Sequence, residues 1–183
     1  MSEIASIFWN DVFSKNIIFI QFFGILLALV ETNSLRTSLK KGIKISTTIL
    51  VGGILGWIFM GWIPGGYSPI LIWIFLITSL FSVFLLQKWG ELQGEWKGFP
   101  KYILMLVPMI GLQWTVWEQG IDYAHKIYMI AGNVAGFYLA FILIAAIKEQ
   151  IKLSEAPEVL KSVPTILIAI GFFALAFIGF SFV

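Results

Sequence analysis

The chain has 183 residues, 59% of them hydrophobic and 12% charged, with a net charge of +2 and a mean hydropathy of +0.93. A water-soluble domain could not cover that much hydrocarbon, so the composition points to an integral membrane protein whose apolar surface is matched by lipid. Without cysteine the chain can form no disulfide, thiolate zinc site or cysteine-ligated iron–sulfur cluster of its own.

The opening "MSEIASIFWNDVFSKN" lacks a basic segment ahead of its apolar residues, so no cleavable signal peptide is expected. Six stretches then reach the length of about 20 apolar residues needed to cross the bilayer. The first runs from about Ile7 to Val30 and carries Asn10, Asp11, Ser14, Lys15 and Asn16 in its opening part. Ile43 to Ile63 is the second, ending at "PGGY", and Pro69 to Leu86 the third. The fourth, Pro100 to Trp117, contains Pro108, which removes a backbone donor and predicts a kink. Ile127 to Ile147 and Val163 to Val183 complete the set. The predicted fold is an all-α integral membrane protein of six transmembrane helices in one domain, 1–183.

Charge placement predicts orientation, because Lys and Arg near span ends are retained in the cytoplasm. Arg36, Lys40, Lys41, Lys44, Lys88, Lys97, Lys101, Lys148, Lys152 and Lys161 fall on one side, and only Lys15 and Lys126 on the other. Both termini are therefore expected outside the cytoplasm. Six spans divide into residues 1–88 and 100–183, and three spans per half would invert the second half relative to the first. The interruptions in spans one and four suit such inverted repeats around a midplane site, although a proline and a polar helix start occurring independently would look the same.

Gly24 and Ala28, Gly52 and Gly56, and Gly132 and Gly136 are spaced by four, which puts each pair on one helix face open to a neighbouring backbone. Asn133 lies between two of these glycines and should hydrogen-bond another helix or a bound polar species. Asp11, Lys44, Glu118 and Lys126 fall near span ends, where side chains can snorkel to water. Trp9, Trp62, Trp96, Trp114, Trp117 and Tyr123 suit interfacial belts. His125 has no second ligand at metal-site spacing. No phosphate loop, catalytic triad or nucleic-acid motif occurs, so no catalytic, cofactor-binding or metal residues are assigned and no cofactor is expected.

The order of residues adds a resemblance. "AAIKEQIKLSEAPEVLKSVPTILIAIGFFALAFIGF", Ala145 to Phe180, resembles the last helices and Leu-Ala-Asp-x-Pro linker of the small membrane subunits of the Rnf and Nqr ion-translocating electron-transfer complexes, of the Rnf A and Nqr E type. "KNIIFIQFFG", Lys15 to Gly24, is similar to that family's Asn-Asn start of an apolar helix leading into Leu-Gly-Leu-Cys-Pro, and "SLRTSLKKGIKISTT" is a looser third likeness, with Arg36 where the family usually has Glu. The resemblance implies that spans one and four should each supply one cysteine to a 2Fe–2S cluster shared with a sibling subunit. Aligning on Gly24 puts Leu26 at the first position, and aligning on "LVPMI" puts Trp114 near the second; neither can ligate iron.

The reading that results is a diverged membrane subunit that acts as scaffold, or as ion or partner interface, in a membrane redox complex of the bacterial or archaeal inner membrane, without its own cluster. It would be a hetero-oligomer with other redox subunits, including a homologous sibling, in contact with lipid and not nucleic acid. A stand-alone small transporter or channel, and an accessory subunit of a pigment- or haem-containing complex, are the alternatives.

Overall fold

The computed structural model describes residues 3–62, 68–88, 95–96, 99–119, 122–155, 157 and 163–179. These form helices α1 (Glu3–Val12), α2 (Ile25–Glu31), α3 (Leu35–Met60), α4 (Ser68–Lys88), α5 (Leu106–Glu118), α6 (Lys126–Leu153) and α7 (Val163–Gly179). A two-residue antiparallel pairing of β1 (Glu95–Trp96) with β2 (Phe99–Pro100) and a 3₁₀ turn, Lys101–Met105, precede α5. The architecture is otherwise helical.

Helices α3 and α6 have 26 and 28 residues. At 1.5 Å per residue they are about 39 and 42 Å long, which exceeds the roughly 30 Å hydrocarbon layer. They pack along each other at the centre; α1 lies on α6, and α4 and α5 lie on α3. The glycine pairs explain the close approach. A Cβ on Gly132 would sit 2.7 Å from the Phe8 carbonyl oxygen of α1, and one on Gly136 would sit 2.9 Å from that of Val12. Gly52 and Gly56 of α3 admit Met109 and Gln113 of α5 in the same way.

The distribution of side chains across α4 is that of a membrane helix. Its inward face holds Thr78, Ser79 and Ser82, all buried, while Ile72, Trp73, Ile77, Phe81 and Phe84 are exposed. A soluble helix would reverse that arrangement. Small polar residues inside let backbones approach and hydrogen-bond, and large apolar residues outside meet lipid. On α7, Ile168, Phe172 and Leu175 are similarly exposed.

Two expected spans are built differently. The stretch Ile7 to Val30 is not one helix: α1 ends at Val12, residues 13–24 turn irregularly, and α2 resumes at Ile25. Pro108 does not kink a continuous fourth helix either. It is the third residue of α5, within the first turn, where its missing N–H would have had no intrahelical partner. The change of structure instead falls at Met105, where 3₁₀ passes into α. The other helices overrun the expected spans at one or both ends, except that α7 is described only to Gly179, and "PGGY" and Lys161 lie outside the described residues.

The charged end of α6 fixes the turn between α2 and α3. Lys148 Nζ donates to Leu29 O at 2.7 Å and to Thr32 O, so an ammonium group meets the otherwise unpaired carbonyls of a helix C-terminus. Lys152 donates to Asn33 O, and the Glu149 carboxylate accepts from Leu35 N, the first amide of α3, at 2.5 Å. Lys41 pairs with Glu31 at 3.2 Å. Of the polar ending "ETN" of the first apolar run, Thr32 and Asn33 are thus held by groups 116 and 119 residues away in sequence, and Glu31 by the nearby Lys41.

Candidate functional site

The break between α1 and α2 is organised by Asn16, which is fully buried. Its Nδ2 donates to Val12 O at 2.8 Å and to Gly136 O at 3.0 Å, and its Oδ1 accepts from Ile18 N at 3.0 Å and Phe19 N at 3.1 Å. Four bonds use the amide's whole capacity, so the unwound backbone is satisfied inside the bundle, as apolar surroundings require. Ile17, Ile18 and Phe19 then fill the core. Phe19 stacks on Phe173 and meets Phe177 edge-on at 4.9 Å, which ties α7 to the break.

The chain leaves the break through two left-handed residues, Phe22 (φ 60°) and Gly24 (φ 90°). A phenylalanine in that conformation is strained, and at Gly24 an added Cβ would also meet Pro108 Cβ at 2.9 Å and Phe137 at 3.0 Å. The start of α2 therefore rests directly on the first turn of α5.

Outside this junction an open pocket of about 410 Å³ is lined by Gln21, Phe23, Trp114, Thr115, Glu118 and Gln119. Thr115 Oγ1 donates to Gln21 Oε1 at 2.7 Å, and Gln21 Nε2 to Lys15 O at 3.2 Å. Lys15 Nζ donates to Gln119 Oε1 at 3.0 Å. Behind that wall lie Asp11, 1% exposed, and Asn133 of α6, 0% exposed. Asn133 Nδ2 bonds Met129 O of its own helix. Asp11 Oδ1 and Asn133 Oδ1 have no hydrogen-bond partner.

Asp11, expected to snorkel, is instead buried, because its side chain is too short to reach water once Gly132 draws α1 onto α6. Glu118, expected near a span end where it can reach water, is exposed and lines the pocket. Lys126 lies over the Trp117 ring at 5.6 Å, and Trp57 stacks on Tyr123 at 4.8 Å. His125 Nδ1 is 3.9 Å from Asp122 Oδ2, and among the described residues no group of three or more His, Cys, Asp or Glu could hold a metal ion.

A second polar cluster, which sequence reasoning missed, sits between α3, α4 and α5. Gln113 Nε2 donates to Gly52 O at 2.9 Å and to Thr78 Oγ1 at 3.0 Å. A lone Gln among apolar residues was the available signal.

Leu26 and Trp114 are 43% and 42% exposed. The donor set is hydrocarbon and indole, so these residues do not fit an iron–sulfur cluster, whose iron takes thiolate or imidazole. What the site offers chemically is a polar pocket, a buried carboxylate and two backbone discontinuities in contact, with no nucleophile set against a base.

Residues 4–183 match the family described as Rnf-Nqr subunit, membrane protein. Among curated relatives, the A-type component of the proton-translocating ferredoxin:NAD(+) oxidoreductase complex of Clostridium ljungdahlii is 22% identical, over 99% of this chain and 97% of the relative. The A-type component of the ion-translocating oxidoreductase complex of Syntrophotalea carbinolica is 23% identical over 99% and 97%. The E-type component of the Na(+)-translocating NADH-quinone reductase of Maridesulfovibrio salexigens is 21% identical over 99% and 98%. With the match running from the start of α1 to the end of the chain, this protein belongs to the Rnf-Nqr family of membrane subunits.

Proposed function

We propose that the chain is a structural and ion-interface subunit of an ion-translocating membrane oxidoreductase, holding neighbouring redox subunits in place without carrying an iron–sulfur cluster itself. The observation that carries this reading is the pairing of a family match over residues 4–183 with Leu26 and Trp114 at the expected ligand positions. The match to the family spans nearly the whole chain, while the thiolates that the resemblance implies are absent from it. Electrons crossing such a complex would need a carrier owned by another chain.

The same reading takes α1 with α2, α3 and α4 as one three-span half and the 3₁₀ turn with α5, α6 and α7 as its inverted counterpart. Supporting it, the discontinuities of the two halves touch at Gly24 and Pro108, and the long helices α3 and α6 pair at the centre. Both termini lie outside the cytoplasm of a bacterial or archaeal inner membrane, as the ten-to-two division of Lys and Arg supports. The half-exposed Leu26 and Trp114 face a sibling subunit through lipid-depth apolar contact.

Mild extraction, identification of co-purifying subunits and iron and electron-spin analysis of the same sample test this. The expected result is a multi-subunit assembly whose iron belongs to other chains. Recovery of the protein alone, with solute flux in vesicles holding nothing else, would replace the proposal with a stand-alone transporter. A reducible iron–sulfur signal on the isolated chain would refute its central claim.

A further inference from the structure

Asp11 and Asn133 present a chemical asymmetry. The two unpartnered side-chain atoms buried at the seam of α1 and α6 are both oxygens, one from a carboxylate on α1 and one from an amide on α6. Two acceptors without a donor call for something electropositive. A polar group buried in hydrocarbon is retained only with its hydrogen bonds or charge satisfied.

The surroundings supply part of that. Asn133 and Gln119 stand beside the Asp11 carboxylate as polar neighbours without a hydrogen bond to it, and Lys15, one turn on, is the charged group near it among the described residues. Lys15 is itself committed to Gln119 Oε1 at 3.0 Å. Gln119 also lines the open pocket. The buried carboxylate is therefore separated from the open pocket by the Gln119 side chain.

We propose that the Asp11 and Asn133 oxygens, reached from the pocket past Gln119, bind a small monovalent cation, either a proton or sodium. Lys15 acts as the positioning residue: its bond to Gln119 holds the wall between pocket and carboxylate, and release of that bond opens the way inward. The idea rests on the ion-interface part of the proposed function but locates it within this chain alone.

Asp11 and Asp122 are the only aspartates in the sequence, and Asp122 is an exposed loop residue whose side chain is 88% accessible. The full chain carrying Asp122→Asn and labelled with carbon-13 at the aspartate carboxyl, in lipid nanodiscs, gives an infrared carboxyl signal from Asp11 alone. Acid titration is run in choline chloride and again in sodium chloride. A proton site shows a carboxylic-acid band already present at neutral pH and growing with acid equally in both salts. In a sodium site, sodium but not choline suppresses that band and shifts the carboxylate band. Either outcome supports the proposal, and Asn133→Ala should weaken the response in both cases. A carboxyl that stays in one state across the whole titration in both salts, or that protonates only in the acid range of an exposed aspartate with no effect of sodium, would overturn it. Native extraction that recovers the protein without partners, together with a responding Asp11, would remove the complex and leave the site standing. An intact complex with an unresponsive Asp11 would do the reverse.

Discussion

Asn16 and Asp11 lie little more than one helical turn apart, and both face a glycine of α6, yet they solve burial in opposite ways. Asn16 makes four hydrogen bonds around Gly136 and leaves nothing unsatisfied. Asp11, over Gly132, keeps an oxygen with no partner. The first is what a structural polar group in a membrane protein looks like, and the second leaves the charge that the proposed cation would satisfy. The difference separates the scaffold from the candidate site within a single short segment.

The largest way to break the comparison is Asn16→Leu. It strands two carbonyls and two amides in hydrocarbon, and at about 1 kcal/mol per lost bond, with a further penalty for the stranded groups, it should cost about 3–5 kcal/mol. The expected readout is near-complete loss of folded protein after mild detergent extraction. Full recovery with unchanged melting would mean that the break is held by Gly24 and Pro108 without the amide.

That dependence also shows how much the sequence could reveal. Helices α3, α4 and α6 are legible as apolar runs, and the spaced glycines correctly mark close approaches. The break is not legible as a boundary. Ile17 to Phe23 contains one polar residue among seven and reads as continuous helix by hydropathy; only the bonds from Asn16, one of them to Gly136, 120 residues away, make the unwound form stable. Pro108 shows the same limit. The residue signals an interruption, but whether it kinks a helix or opens one depends on the 3₁₀ turn before it. Asp11 was visible as a charge and not as a buried one, since burial follows from a contact with α6 that no local pattern encodes.

Gly132→Ala acts on the other half of the comparison. Its Cβ would come within 2.7 Å of the Phe8 carbonyl and 3.0 Å of Asp11 Cβ. Backbone cannot move aside as a flexible side chain can, so α1 must shift, at about 1–3 kcal/mol for an overpacked contact. Thermal unfolding of the purified variant should show the loss, and the Asp11 carboxyl signal should shift with it. A lower melting temperature with an unchanged carboxyl signal would uncouple Asp11 from the α1–α6 seam.

Gln113→Leu tests whether a satisfied network far from Asp11 is purely structural. The substitution removes bonds that join α5 to Gly52 of α3 and Thr78 of α4. Interhelical hydrogen bonds in membranes contribute about 0.6–2 kcal/mol, so a melting shift of that order is expected, with the Asp11 response to cations intact. A lost cation response would extend the site through α5 and merge the two clusters.

The smallest effect is expected at Gly171 of α7, where an added Cβ meets nothing within 4 Å. Gly171→Ala on the isolated chain should be neutral or stabilising by up to about 1 kcal/mol, because alanine loses less backbone entropy in a helix. The same substitution in the assembled complex asks a different question. Open space beside a glycine in a lone chain is either lipid or a seat for a neighbouring helix, and only the second is harmed by a methyl group. If the complex loses a component on Gly171→Ala while the isolated chain melts as before, the open face of α7 is a partner contact. If both are unchanged, α7 meets lipid there, and the partner surface must be sought on the side where Leu26 and Trp114 stand half-exposed.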